Sequence, residues 1–465
     1  MDKEEDTPID WFYRQIFMPK WNPQMWRQPD VNTDDNNKAT GVTKWKLRVP
    51  KGGDHFNAIN TAMLLANQST NGDSLTPPGM TRVADEAGAY PWVAHIFSRK
   101  LVEAKKGVRE DKEAWKKYEW YIPTAWHKGT AFFVRDTNTD GKSVYLLTAA
   151  HNLISRVPKN HGSQGEHISN TGKGSAGPQE WPIDKDEEFY ERRCLADSVS
   201  VVAWRPGTSP GDPRKRFYGW ADRASLCRGY YEKHIGTLMV NVSQNYPNFD
   251  VAALRLRAAD GFPTQHLGAM PYLVALPIST LRPASPGTPG SPVAVHYAAV
   301  GLHLAIDKTT TPPTVFSQAL YSRNPGEDQN QRPRSIRDFP SVNVVFEPPS
   351  GGWRDPTVEE ELGGLLTLAS AHESLRGGYS GGLGLIGGKD DQDTYVAGCV
   401  VVEASGNAQW VQGVAMFTDD PTANEVTDPR ALLAALGCKM KWEDIQFNGW
   451  QCKRLVRDAQ THVGD

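Results

Sequence analysis

The sequence predicts a mainly β protein built from more than one structural unit. Its 465 residues include 42 glycines and 33 prolines, a composition that suits many strands joined by turns and loops. Apolar runs of β-capable residues recur from residue 129 onward, whereas helical patterns are confined to residues 1–120 and to a short segment near the C-terminus. A chain of this length exceeds the size at which one hydrophobic core usually keeps growing, so we expect two or three units.

Residues 1–120 are predicted to form a helical or irregular accessory region. One helix is expected to begin at Asp54, because the apolar residues that follow share one helical face. A second helix is predicted between Arg99 and Tyr118. Its apolar face comprises Leu101, Ala104, Val108, Trp115 and Tyr118. We interpret its charged opposite face as a solvated surface. A regulatory or targeting domain that controls access to a functional site is the alternative.

Three short motifs carry residues suited to acyl transfer. The apolar run Ser143–His151 is predicted as a strand that delivers His151 to a surface loop, and Asp250 stands where a loop enters another strand. Ser380 lies in the glycine-rich stretch 377–384, and only glycine lets backbone N–H groups turn toward an anionic oxygen without a Cβ clash. A hydroxyl nucleophile, an imidazole base and a carboxylate that fixes the imidazole tautomer are what this chemistry requires.

These residues, in this chain order, resemble those of the trypsin/chymotrypsin-like serine peptidases of bacterial type. Three further stretches resemble strands of that family, and a short helix follows them. The strands are Gly129–Val134, Tyr395–Val402 and Gly413–Phe417, and the helix has Asp428 as N-cap, Pro429 at its first position and Gly437 as its stop. The resemblance implies two antiparallel six-stranded β-barrels of chymotrypsin type over residues 121–437, with a helical N-terminal extension, the short C-terminal helix, and residues 438–465 as a tail.

The resemblance also implies a role for each site residue. His151 is the expected general base, Asp250 its orienting carboxylate and Ser380 the nucleophile, with the backbone N–H groups of Gly378 and Ser380 as the oxyanion hole. The residues expected to line the substrate pocket are Glu373, Ser374, Val401, Glu403 and Gly413. The implied activity is that of a serine endopeptidase that cleaves proteins through an acyl-enzyme. The alternatives are a catalytically silent barrel protein that acts as a protein-binding module, and a latent protease switched on by its N-terminal region or a partner.

The motifs depart from those of the secreted animal members of that family. Asn152 follows His151 where those members carry a cysteine, and Tyr379 precedes Ser380 where they carry the aspartate that receives a newly cleaved N-terminus. Ser374 occupies the position where specificity for Lys or Arg would require an acid. Activation by N-terminal cleavage and a preference for a basic residue before the cut are therefore not expected.

The composition and the N-terminal sequence limit the cellular compartment and the binding partners that we expect for the protein. The N-terminus lacks the basic start and apolar core of a secretory signal, no run of about 18 apolar residues occurs, and the five cysteines are an odd and sparse set. We expect a cytoplasmic protein with reduced thiols; a leader removed before this sequence begins is the alternative. The net charge of -3 gives no footprint for nucleic acid. The expected partners are a protein or peptide substrate and an activating protein that acts through the N-terminal region, with neither nucleic acid nor membrane.

No metal or cofactor is predicted. Residues 136–141 match the start of a calcium loop, but the twelfth position is Leu147 rather than a bidentate acid. The segment also lies between two β-patterned runs, so Asp140-Gly141 is predicted as a hairpin turn. No group of cysteines and histidines has the spacing of a zinc site.

Overall fold

The structure is a computed structural model, and the part of the chain that it describes is mainly β. It describes residues 31–33, 41–49, 80–84, 92–107, 120–137, 143–154, 188–204, 216–228, 230–231, 250–257, 270–277, 293–307, 314–322, 341–346, 365–370, 380–387, 394–406, 409–419 and 427–458. The strands, in chain order, are β1 Val31–Thr33, β2 Val42–Lys46, β3 Met80–Ala84, β4 Val93–Gly107, β5 Trp120–Phe133, β6 Ser143–Thr148, β7 Glu188–Trp204, β8 Arg216–Cys227, β9 Ala252–Arg257, β10 Tyr272–Ala275, β11 Val293–Asp307, β12 Thr314–Ser322, β13 Ser341–Phe346, β14 Leu365–Ser370, β15 Leu383–Gly387, β16 Thr394–Gly406, β17 Gln409–Met416, β18 Met440–Phe447 and β19 Trp450–Arg457. A short helix, α1, spans Pro429–Ala435.

The first sheet closes into a six-stranded antiparallel barrel. Its neighbour order is β4-β5-β6-β9-β8-β7, and β7 pairs back with β4 to complete the ring. The first sheet also includes β2, which pairs with residues 223–227 of β8, and β1, which pairs with β2. Closure leaves the six barrel strands with a partner on both sides, so the ring itself has no open edge.

The barrel interior is filled by apolar side chains from every strand of the ring. The fully buried side chains include Ile96, Phe132, Leu146, Val201, Ala224 and Leu254. The same apolar cluster continues to Leu385 and Val396 of the second sheet and to Leu432 and Leu433 of α1. The two sheets are therefore joined by a shared core rather than by a chain connection alone.

The second sheet has eleven strands, in the order β18-β19-β10-β16-β17-β14-β13-β11-β12-β3 with β15 off this path. Strand β15 is paired with β16 on one side and with β11 on the other, both antiparallel. The β16–β17 pairing shifts in register between Val400 and Val402, which marks a bulge. The predicted strand Tyr395–Val402 is confirmed within β16, and the predicted strand Gly413–Phe417 is confirmed within β17 up to Met416.

Local chemistry sets both ends of α1 as the sequence predicts. The Asp428 side chain accepts a hydrogen bond of 2.9 Å from the backbone N–H of Arg430, and Pro429 occupies the first turn. Gly437 adopts a φ of +97° just beyond the helix, a conformation that favours glycine. The helix packs against the barrel at β8, where Ser225 Oγ donates to the carbonyl oxygen of Leu432 at 2.9 Å.

Residues assigned above to the C-terminal tail form the hairpin β18–β19. Asn448 and Gly449 have φ values of 51° and 82°, as a two-residue turn with both central residues left-handed requires. Strand β19 pairs with β10, which itself runs parallel to β16. The hairpin therefore extends the second sheet at its edge.

The side chain of Tyr272 at the start of β10 faces the guanidinium of Arg135 at 3.9 Å.

The prediction of a helix between Arg99 and Tyr118 is wrong over its first half. Residues up to Gly107 continue β4, which pairs with β5 on one side and with β7 on the other. The helical spacing of the apolar residues was outweighed by hydrogen bonding along both strand edges, which sequence patterns do not report. Residues 108–119 and the helix predicted from Asp54 lie outside the described residues. Strands β2 and β4 also show that residues 1–120 contribute directly to the barrel sheet.

Candidate active site

His151 lies three residues after strand β6, in the turn that follows the predicted strand. The strand ends at Thr148, and Ala150–Asn152 form a single turn of 3-10 helix. Ala149 and Ala150 are fully buried, which fixes the turn on the barrel, while the side chain of His151 retains 14% exposure. The imidazole is therefore held on a rigid base and is mostly buried.

Asp250 binds His151 through both carboxylate oxygens. Oδ1 accepts a hydrogen bond of 2.7 Å from the backbone N–H of His151, and Oδ2 accepts one of 2.5 Å from the ring Nδ1. Because a carboxylate only accepts, the proton belongs on Nδ1 and the basic lone pair of the neutral ring on Nε2. The carboxylate thus fixes both the tautomer and the orientation of the imidazole.

Asp250 itself is buried two residues before β9, where the chain enters the barrel. The negative charge of Asp250 also affects a residue of the second sheet. The pKa of the Cys399 thiol on β16 is raised, first by burial and then by the negative charge of Asp250. Strand β16 therefore lies close to the carboxylate that orients His151.

Ser380 occupies a turn just before β15, and its carbonyl oxygen is bound by the first barrel. The oxygen accepts a hydrogen bond of 2.9 Å from the backbone N–H of Thr130 on β5. It accepts a second bond of 2.7 Å from the side-chain amide of Asn152. The next residue, Gly381, donates its backbone N–H to the carbonyl oxygen of Val400 on β16 at 2.7 Å. The turn is thus fixed between the two sheets.

The Asn152 amide links the histidine turn to the serine turn. Besides Ser380, its Nδ2 donates to the hydroxyl of Thr148 at 3.0 Å, and that hydroxyl donates to the carbonyl oxygen of Thr130 at 2.7 Å. The backbone carbonyl of Asn152 accepts a bond of 2.5 Å from Ser98 Oγ. Asn152 is 5% exposed, so these bonds lie in a buried network. The residue after His151 therefore holds the backbone of Ser380.

Two glycines provide the space for this contact. A Cβ on Gly129 would lie 2.5 Å from the Nδ2 of Asn152. A Cβ on Gly381 would lie 2.1 Å from the carbonyl oxygen of Thr130, and Gly381 has a φ of +88°. Only glycine combines that φ with so close an approach of two backbones. The glycine at 381 is required by packing against the first barrel.

The structure brings His151, Asp250 and Ser380 into one region through contacts that join all three segments. The other predicted site residues are less fully placed. Gly378, Glu373 and Ser374 lie outside the described residues. Gly413 on β17 pairs with Val402 on β16, so its backbone lies beside the positions of Val401 and Glu403.

Sequence reasoning missed the residues that hold Ser380. Asn152 was recognised only as a departure from cysteine, and Thr130 and Thr148 were not singled out. The available signal was a run of polar side chains inside apolar strands, since Thr130 and Thr148 are both fully buried. Such residues need hydrogen-bond partners, and here they find them across the two motifs.

Three further observations concern metal binding, the cysteines and membrane-spanning helices. Within the described residues, no three side chains of His, Cys, Asp or Glu are grouped so as to hold a metal ion. Cys227, Cys399, Cys438 and Cys452 are buried free thiols. No helix in the described part of the chain is both long and apolar enough to cross a lipid bilayer.

Comparison with known proteins adds no relative. No known protein family matches the chain, and no curated protein matches it either. The assignment of a function therefore depends on the geometry of these residues.

Proposed function

We propose that the protein is a serine endopeptidase that cleaves protein substrates through an acyl-enzyme. This proposal rests on two sets of hydrogen bonds. Asp250 accepts bonds from the backbone N–H and the ring Nδ1 of His151, and the side-chain amide of Asn152 donates to the carbonyl oxygen of Ser380. The first arrangement prepares an imidazole base of defined tautomer. The second ties the serine backbone to the residue that follows that base.

The arrangement of strands supports the same proposal. The barrel strands β4 to β9 have the neighbour order first, second, third, sixth, fifth, fourth. The strands β11, β13, β14, β15, β16 and β17 repeat this order, because β15 bonds to both β16 and β11. We infer that they form a second six-stranded barrel of the same topology. His151 then follows the third strand of one barrel, and Ser380 precedes the fourth strand of the other.

The reaction follows from the roles of the three residues. His151 Nε2 takes the hydroxyl proton of Ser380 as Oγ bonds to the substrate carbonyl carbon, and Asp250 stabilises the imidazolium. Backbone N–H groups of Gly378 and Ser380 receive the negative charge on the carbonyl oxygen. Collapse of the tetrahedral intermediate breaks the C–N bond, and the imidazolium gives its proton to the leaving amine. Water activated by His151 then releases the acyl group.

The proposal includes a substrate pocket and a setting for the enzyme. Val401, Glu403 and Gly413, on adjacent positions of β16 and β17, are its proposed walls, with Glu373 and Ser374. A cytoplasmic location remains part of the proposal, and the buried free thiols are consistent with a reducing compartment.

Covalent labelling with a fluorophosphonate probe tests the nucleophile. We expect wild type to label and Ser380→Ala not to, with an unchanged melting temperature. Asp250→Asn should lower the labelling rate by about 10⁴-fold, because the imidazole loses its tautomer. Ser143→Ala, which removes a half-buried hydroxyl at the start of β6, is the matched control and should label normally. Equal labelling of wild type and Ser380→Ala would contradict the assignment, and an unlabelled wild type would favour the silent binding module.

Control by the N-terminal region needs a truncation that spares the barrel. Strand β4 lies between β5 and β7, so the chain cannot be shortened to residue 121 without opening the ring. Removal of residues 1–30 leaves every described strand in place. A changed labelling rate after this removal would support regulation through that segment, and an identical rate would argue against it.

A further inference from the structure

Three cations stand side by side on the outer face of the first barrel. Lys46 on β2 lies directly opposite Arg223 on β8, and Arg223 lies directly opposite Arg255 on β9. Directly opposed residues of antiparallel strands project from the same face, and like charges in such pairs are destabilising. The repulsion between Lys46 and Arg223 is therefore an electrostatic cost to the fold.

The row borders a cavity of about 430 Å³. Among the described residues, four cations line it, since Arg257 from the end of β9 joins the three residues of the row, and one acid, Asp222, lies in its wall. Leu47 and Val49 supply the apolar part. A volume of this size is within the range of sites that hold small ligands or single chemical groups.

Asp222 neutralises only part of this charge. Its carboxylate accepts two hydrogen bonds from Arg255, at 2.8 and 2.7 Å, and one of 3.0 Å from Arg257 Nε. Burial alone would raise the pKa of Asp222, but the bonds and charges of Arg255 and Arg257 outweigh it and hold that pKa below 3.8. Arg255 also donates to the carbonyl oxygen of Leu436 after helix α1. Arg255 is therefore committed to the protein's own groups.

The remaining donors are Lys46 and Arg223. Among the described residues, neither Lys46 nor Arg223 has an ion pair with an acid, and the Arg257 side chain is 77% exposed with one nitrogen bound to Asp222. The chain as a whole carries a net charge of -3, so this local excess of cations is not a property of the whole surface.

We propose that this cavity is a binding site for a dianionic phosphate group. Guanidinium forks and a lysine ammonium are the groups that recognise phosphate in proteins. Neighbouring strands are about 4.8 Å apart, so the backbones of the three-cation row span about 10 Å, within reach of one phosphate-sized anion. Two negative charges and several acceptor oxygens match the ammonium of Lys46 and the guanidinium of Arg223, whereas a single carboxylate does not. The proposal is independent of the peptidase assignment.

Calorimetric titration of the full chain with inorganic phosphate tests the site, with sodium chloride of equal ionic strength as reference. A second arm uses a phosphoserine peptide and its unphosphorylated form, which distinguishes a free ion from a phosphate ester. We expect saturable binding in at least one arm. Lys46→Gln and Arg223→Gln should each weaken it by about tenfold or more, the effect of removing one charge-assisted bond. Lys441→Gln, which removes an exposed cation from β18, is the matched control and should bind as wild type does.

Thermal melting separates loss of the site from loss of the fold. In chloride, Lys46→Gln and Arg223→Gln should melt at or above the temperature of wild type, because each removes a repulsion between like charges. Phosphate should raise the melting temperature of wild type and of Lys441→Gln but not of the two site variants. Absence of saturable binding in both arms, or binding that the site variants do not weaken, would overturn the proposal.

Discussion

The side-chain amide of Asn152 donates a 2.7 Å hydrogen bond to the carbonyl oxygen of Ser380, across a separation of 228 positions in the chain. Because Asn152 follows His151 directly, one buried side chain fixes the spacing between the turn that carries the base and the turn that carries the proposed nucleophile. The bond joins backbone to side chain and leaves the Ser380 hydroxyl available for reaction. Asn152 is in this sense a positioning residue rather than a catalytic one.

Replacement of Asn152 by Asp tests this positioning. The change keeps the shape of the side chain but removes both amide donors and sets a carboxylate against the Ser380 carbonyl. The Ser380 carbonyl keeps the bond from the backbone N–H of Thr130 but loses its second donor and faces a buried carboxylate. Loss of such a buried bond costs about 1–3 kcal/mol, so we expect the rate of fluorophosphonate labelling to fall by about 10- to 100-fold. With a peptide substrate, kcat should fall more than KM rises. Asn448→Asp makes the same chemical change in the β18–β19 turn and should leave both constants unchanged.

A rate that follows global stability would contradict the positioning role. The labelling experiment is therefore repeated at a temperature well below the melting transition of every variant, where the folded fraction is close to complete. An Asn152→Asp protein that labels at the wild-type rate under those conditions would show that the bond does not position Ser380.

Two glycines with left-handed backbones allow a matched test of the contact between the two sheets. Gly381→Ala places a methyl group 2.1 Å from the carbonyl oxygen of Thr130, in addition to the strain of a φ of +88°. Gly449→Ala incurs similar strain at a φ of +82°, but its methyl group has no atom within 4 Å. Strain alone costs about 1–2 kcal/mol. Denaturant unfolding should show a loss of this size for Gly449→Ala and a loss larger by at least about 2 kcal/mol for Gly381→Ala. Equal losses would refute the close approach.

The free energy of unfolding at acid pH is expected to depend on Asp222. Its folded pKa is lower than 3.8, since the bonds and charges of Arg255 and Arg257 outweigh the effect of burial. A lowered folded pKa contributes stability above the unfolded pKa and loses it as the pH falls through the folded value. Asp222→Asn should therefore be less stable than wild type at pH 7, and the difference should shrink as the pH falls below about 4. Urea unfolding across this range measures it. Asp444→Asn, at an exposed carboxylate on β18, should show no such convergence.

The sequence predicts an element well when the residues that stabilise it are close to it in the chain. The N-cap at Asp428, Pro429 and the left-handed Gly437 are decided within one helical turn, and each was predicted correctly. Strand β4 was predicted partly as a helix because its stability comes from β5 and β7, which lie farther along the chain. The β18–β19 hairpin has a local signal, the pair Asn448-Gly449 between alternating runs, although residues 438–465 were predicted as a tail.

The same distinction applies to the site. The strand before His151 and the loop that leads from Asp250 into β9 have local signatures, so their placement could be predicted. The role of Asn152 could not be predicted, because its hydrogen-bond partner, the carbonyl of Ser380, is distant in the sequence. The glycine at 381 was predicted from the needs of an anionic oxygen. The structure adds a second cause, the steric limit set by the Thr130 carbonyl.

The anchoring of the Ser380 carbonyl by Thr130 and Asn152 has a consequence for biosynthesis. Domains fold as units while the chain emerges from the ribosome, with the N-terminal part first. All six strands of the first barrel end by Arg257, so the partners that hold Ser380 are complete before that residue is made. A nascent or truncated chain therefore presents a finished receptor for the serine turn and no nucleophile. On the proposed function, hydrolytic capacity is acquired only in the last stage of synthesis.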